Sequence, residues 1–185
     1  PEGSSEDKQY FAQMVPNFVF AMKEHLRDGV IMEEIQETNP EFKDNLASKG
    51  HKPAHIVQLL YKRLNELRNN NIISQEQYWI IDGELKELLD IIGACERIKN
   101  TPIPYSYNMY IKKFIFLYSV SLPFGIMSIT HYWTIPITCV LFYLLVSTEL
   151  IAEEIEDPFG MDENDLPTDN LSEKIKANVE EILLK

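Results

Sequence analysis

The chain has 185 residues, 29 acidic against 17 basic, and a formal net charge of −12. That balance excludes a nucleic-acid binder, which needs a basic face, and equally a basic membrane-surface patch. The only cysteines, Cys95 and Cys139, fall in a polar stretch and an apolar one, which argues against a disulfide and for a reducing, cytoplasmic context.

The opening Pro1-Glu2-Gly3-Ser4-Ser5 has neither Met nor a signal-peptide pattern and reads as the start of a processed or truncated chain. Residues 6–28 follow as an amphipathic helix, with Phe11, Met14, Val15, Phe18, Val19, Met22 and Leu26 at helical spacing. Pro16 inside that pattern is expected to kink or divide it, and Gly29 to stop it. Residues 30–48 suggest short helices broken at Asn39-Pro40. Pro53 suits the first turn of a further helix with the stripe Ile56, Leu59, Leu60, Leu64 and Leu67, ended by Asn69-Asn70-Asn71. Ser74 and Gln77 make a capping box for a helix to about Lys99. Its expected apolar face is Tyr78, Ile81, Leu85, Leu88, Leu89 and Ile92. Thr101-Pro102-Ile103-Pro104 is a rigid connector, because each residue before a proline is pushed out of the α region.

Between Phe114 and Thr148 there is no Asp, Glu, Lys or Arg. At ~1.5 Å per helical residue that run covers ~50 Å, while one crossing of the hydrocarbon core takes ~30 Å. The polar, aromatic Thr130-His131-Tyr132-Trp133 sits near its middle, as expected for a turn at an interface. The pattern is a helical hairpin of roughly Tyr105–Ile129 and Trp133–Ala152, with Pro123 and Pro136 expected to kink or open the two spans. Arg97, Lys99, Lys112 and Lys113, ahead of the uncharged run, place both flanks in the cytoplasm and the hairpin in the cell (inner) membrane as a multi-pass element. Residues 170–184 form a last amphipathic helix with Leu171, Ile175, Val179, Ile182 and Leu183. No strand pattern rises above background. The fold class is all-α, divided into a cytosolic helical domain (1–104), a transmembrane hairpin (105–152) and a cytosolic acidic loop with a C-terminal helix (153–185).

Chemistry-bearing patterns are few. His51 and His55, four apart, could offer two metal ligands, but no third lies close in sequence and surface histidines are the simpler reading. There is no Gly-rich phosphate loop, nucleophile elbow or catalytic triad order. Acidic residues from Glu149 to Asp169 surround a Pro158-Phe159-Gly160 turn. Such a turn can gather hard oxygen ligands for calcium, or simply be a solvated acidic loop at a membrane exit.

Taken in order, Asp82-Gly83-Glu84-Leu85-Lys86-Glu87-Leu88, Gly93-Ala94-Cys95-Glu96-Arg97-Ile98, Thr101-Pro102-Ile103-Pro104-Tyr105-Ser106-Tyr107, and Glu156-Asp157-Pro158-Phe159-Gly160 with Asn164-Asp165-Leu166-Pro167 resemble the bestrophin family, in particular its prokaryotic branch. The resemblance covers roughly residues 8–184. It implies a homopentameric channel in the lipid bilayer for small monovalent ions, in which 105–152 supplies the third and fourth transmembrane helices and the first two would precede residue 1. It makes Ile103, Pro104, Tyr107, Asp157, Pro158, Phe159 and Gly160 family-motif residues. It places the cytosolic constriction, usually a small apolar side chain, at Glu76, where five carboxylates would form a cation-attracting ring. By position Glu154, Asp162 and Asp165 fall on or near the side-chain ligands of the calcium clasp in eukaryotic bestrophins, with Asp157 near a backbone ligand. The alternative from another class is a membrane-anchored helical interaction module that does not conduct.

Overall fold

A computed structural model of the chain describes residues 5–27, 29, 31–36 and 42–185. Among them are seven α-helices and no strand: α1 (Ser5–Leu26), α2 (Phe42–Ala47), α3 (Lys52–Asn69), α4 (Gln75–Asn100), α5 (Tyr105–Thr130), α6 (Thr134–Glu156) and α7 (Thr168–Leu184). The chain falls into two compact units, Pro1–Lys99 with Pro167–Lys185, and Asn100–Leu166. The acidic loop of 153–185 thus belongs to the second unit and the C-terminal helix to the first, where α7 packs on α1.

The first unit is built on apolar stripes at helical spacing. Met14, Phe18 and Ala21 of α1 meet Ile56, Val57, Leu60 and Leu64 of α3, with Ile35, Leu46, Leu85 and Ile92 closing the core. Pro16 does not divide α1, which runs unbroken through it. The helix stops where expected: the Gly29 amide donates to the Glu24 carbonyl at 2.9 Å, satisfying a carbonyl the helix would leave unpaired. The expected break at Asn39-Pro40 lies outside the described residues. Buried Asn17 pins the segment after α1, since its amide donates to the Gln36 carbonyl (2.9 Å) and its oxygen accepts the Gln36 amide (2.7 Å).

α3 ends in a Schellman arrangement. The Asn71 amide donates to the Arg68 carbonyl and the Ile72 amide to the Leu67 carbonyl, both at 3.0 Å, with Asn71 at φ 56°. Asparagine tolerates that left-handed conformation better than most side chains, which is why an Asn run stops this helix. α4 buries a narrower face than its sequence suggests. Leu85 and Ile92 are buried and Tyr78, Ile81 and Leu88 are half-buried, but Leu89 lies at the edge of the seam and stays exposed, as do Trp79 and Ile80.

α7 also departs from its stripe. Ser172 is buried and Lys176, Val179 and Leu183 are half-buried, a face that repeats every three to four residues, while Leu171, Ile175 and Ile182 remain exposed. Polar anchoring decides this rotation. Asp169 in the first turn of α7 bonds both Lys23 (2.7 Å) and Arg27 (3.0 Å) of α1.

The second unit is the apolar hairpin, α5 and α6 joined by a single 3-10 turn at His131–Trp133. Its packing is inside out for a water-soluble domain: Ile115 is buried, while Phe124 and Ile129 are 82% and 79% exposed and Phe116, Leu117, Ile135 and Tyr143 are similarly open. Pro123 is accommodated within a continuous α5. Pro136 sits in the first turn of α6, where no backbone donor is required, so it opens nothing. Hydroxyls along the hairpin bond back to the preceding turn, Thr130 to the Ile126 carbonyl (2.9 Å), Thr138 to Thr134 (2.8 Å) and Thr148 to Leu144 (2.8 Å). A polar group in an apolar medium needs such a partner.

Candidate functional site

At the start of α4 the capping box forms as read. The Ser74 amide donates to Gln77 Oε1 (2.9 Å) and the Gln77 amide to Ser74 Oγ (3.2 Å). Glu76 is drawn into the same cap, its Oε2 accepting from Ser74 Oγ at 2.8 Å. That hydroxyl, and then the residue's own backbone amide, hold the exposed Glu76 carboxyl below its usual range. The helix N-terminus favours the same charge.

At the open end of the hairpin, charged groups pair across the two helices. Lys112 Nζ lies 3.2 Å from carboxylate oxygens of Glu149 and Glu153, and Asn108 donates to Glu156 at 3.1 Å. Pro104 caps α5 through its backbone, the carbonyl accepting the Tyr107 amide at 2.8 Å. Ile103 and Tyr107 line a cavity of about 320 Å³ between α5 and α6, with Ile115 at its floor and Glu149, Glu153 and Glu156 on its wall. Its lining is mostly apolar, with these three carboxylates among it.

The turn after α6 is braced by its own side chains. Asp157 caps α6, the Pro158 carbonyl accepts the Leu166 amide at 3.1 Å, and Phe159 is buried. Asp165 Oδ2 accepts the Asp162 amide at 2.7 Å, and Asn164 donates to Glu154 at 2.7 Å. A Cβ at Gly160 would stand 2.6 Å from Asp165 Oδ2, so only glycine lets the carboxylate close over the turn. Among the described residues, the His, Cys and carboxylate groups of three that converge within 4.8 Å are His25, His51 and Glu96, and Glu24, Glu34 and Asp169. Glu154, Asp162 and Asp165 do not converge in this way. As placed, Asp165 and Glu154 each spend one oxygen on the loop itself, the first on the Asp162 amide and the second on the Asn164 side-chain amide.

Both convergent groups escape a reading by sequence spacing. Lys23, on amphipathic α1 with its side chain 3% exposed, sits among Glu24, Glu34 and Asp169 at 3.0, 2.7 and 2.7 Å. Burial opposes its charge, but the hydrogen bonds it donates to the three carboxylates outweigh burial and hold the ammonium above its usual range. In the other group His25 and His51 both reach Glu96 Oε1, at 2.7 and 2.9 Å, while His55 turns away to Gln58 at 3.0 Å. Burial works against the Glu96 carboxylate, yet the His25 hydrogen bond and the two imidazoles keep its pKa below the usual value.

The model of the Bacterial/Fungal Bestrophin protein family matches residues 1–181. The chain belongs to that bestrophin family. It is 32% identical over 179 residues to the voltage-dependent anion channel-forming protein sll1024 of Synechocystis sp., covering 96% of this chain and 58% of that protein. It is 32% identical over 131 residues to the voltage-dependent anion channel-forming protein YneE of Salmonella typhi, covering 70% of this chain and 43% of that one. The chain therefore spans about half the length of the curated relatives it matches. Among solved structures, a bacterial Bestrophin homolog from Klebsiella pneumoniae superposes with a TM-score of 0.92 at 26% identity, over 99% of this chain and 68% of that one. The sequence resemblance and the all-α class are thus borne out. The stretch Gln75–Glu156 contains a helical segment apolar enough to cross a membrane, with an 18-residue window of mean hydropathy 2.0 and none of it buried. The bestrophin is a membrane protein.

Proposed function

We propose that this protein is a subunit of an ion channel, assembled from five copies around one axis. In this reading α5 and α6 each cross the cell (inner) membrane, and both ends of the hairpin lie in the cytoplasm. The observation that carries the proposal is the hairpin itself, a pair of long helices whose large apolar side chains face outward on nearly every side. Such a surface demands lipid or neighbouring copies. The relatives named as channel-forming agree with it. The exposed Trp79 and Ile80 of α4 and Leu171 and Ile175 of α7 offer further apolar surface for neighbouring copies to cover.

We assign Glu76 to the pore constriction. Its carboxylate stands exposed at the first turn of α4 and is kept ionised by Ser74. Five such groups at one opening would concentrate monovalent cations. Names given to the relatives point to anions instead, so the reversal potential in planar bilayers under a salt gradient decides the question. A cation-selective potential that moves toward the anion side in Glu76→Gln supports the ring. An anion-selective potential indifferent to that substitution removes it. Native mass spectrometry in detergent tests the assembly: a pentamer is expected, whereas a monomer would reduce the hairpin to the tether of an interaction module.

A further inference from the structure

We propose that His25, His51 and Glu96 form a binding site for a zinc-class transition metal, a role distinct from conduction. The three ligand atoms come from the last turn of α1, the residue capping α3 and the C-terminal part of α4, positions 71 and 45 residues apart for the two contacts. They nonetheless lie within 4.8 Å of one another. Two imidazole nitrogens and one carboxylate oxygen are the donor set that zinc prefers, and hard cations such as calcium or magnesium do not select it.

The geometry is close to what coordination needs. With metal–ligand bonds of about 2.0–2.2 Å, ligand atoms in a tetrahedral shell stand roughly 3.3 Å apart. The observed separations from Glu96 Oε1 are 2.7 Å to His25 and 2.9 Å to His51, so each imidazole need retreat only slightly. The two rings stand side by side, centroids 4.6 Å apart and inclined by 32°, with both Nε2 atoms directed at the same oxygen. All three side chains are partly exposed, which leaves room for ion entry and for a water in the fourth position.

Proton placement is defined. A carboxylate oxygen can only accept, so both imidazoles present Nε2–H to Glu96, and His51 Nδ1 accepts the Ala54 amide at 3.2 Å. Metal on Nε2 requires each neutral ring to carry its proton on Nδ1 instead. His51 therefore gives up the Ala54 cap when it coordinates, with no net loss of a proton from the ring. The other convergent group offers no such vacancy to an ion, because the Lys23 ammonium already occupies it.

The test is a titration of the detergent-purified protein, dialysed against a chelator, with zinc chloride, read by calorimetry and by melting temperature. One zinc per chain is expected, with a rise in melting temperature because the ion would tie three helices together. His25→Ala and Glu96→Gln should each weaken binding roughly tenfold or more, their melting in zinc-free buffer verifying that they fold. His55→Ala should bind as the parent does. Excess calcium should not displace the zinc. No saturable binding by the parent, or binding retained in both His25→Ala and Glu96→Gln, overturns the site. Loss of binding in His55→Ala with retention in His25→Ala would move the metal to the adjacent histidine pair and overturn it equally.

Discussion

Lys23 Nζ and Asp169 Oδ1 lie 2.7 Å apart although 146 residues separate them in the chain, and this contact fastens the last helix to the first. The ammonium end is nearly sealed from water while the carboxylate end is 60% exposed. Glu24, itself buried, shares the same ammonium at 3.0 Å.

Removing the cation should therefore hurt more than removing the outer anion. Lys23→Ala leaves buried Glu24 with Arg27 alone, at 3.6 Å, and is expected to destabilise the first unit by about 1–3 kcal/mol. Asp169→Asn should cost distinctly less, since Glu24 and Glu34 still hold Lys23. Denaturant or thermal unfolding of both variants in detergent would check the order.

The same pair sets an acid limb. Hydrogen bonds from Arg27 and Lys23 lower the Asp169 carboxyl from 3.8 to about 2. A carboxyl depressed by folding stabilises the folded state fully above its unfolded value and loses that contribution as pH falls through the folded one. The docking of α7 on α1 should weaken as pH drops from about 4 toward 2, and Asp169→Asn should flatten that limb. Amide exchange in α7 across this range is the measurement.

Ser74→Ala removes both the cap on Gln77 and the hydrogen bond to Glu76. A loss of about 1 kcal/mol is expected, the ordinary cost of deleting an N-cap. The Glu76 carboxyl should titrate at higher pH in this variant, because its largest stabilising contact is gone. Unfolding measurements and a carbon-detected NMR titration of Glu76 would read the two effects separately.

Gly160→Ala should destabilise the turn after α6 by about 1 kcal/mol, because the added Cβ pushes the Asp165 carboxylate off the Asp162 amide. The same substitution made in an Asp165→Ala background should be nearly neutral. A double-mutant cycle without coupling between the two positions would contradict the bracing described for this loop.

How much of this was legible in the sequence depended on range. Local signals transferred well: the Ser74–Gln77 box opens α4, the Asn run closes α3, and the uncharged stretch from Phe114 to Thr148 forms most of a hairpin. Helical periodicity placed the seams of α1 and α3 but overstated those of α4 and α7. There, Leu89, Leu171, Ile175 and Ile182 satisfy the pattern without finding a partner within one chain. Contacts between distant positions left no trace in spacing. A lysine on an apolar helix face reads as solvated until Glu34 and Asp169 are brought to it, and His51 looks paired with His55 until α1 and α4 supply His25 and Glu96. Pro16 and Pro136 misled for opposite reasons. Tertiary packing absorbed the first within a continuous helix, and the second fell in a first turn where proline does no harm.

The ion-paired residues of the hairpin, Lys112, Glu149 and Glu153, gather at one end, and its tip carries only His131 as a group ionising near neutrality. In the topology proposed above, the tip of α5 and α6 would cross hydrocarbon without carrying a permanently charged group to the headgroups of the far leaflet.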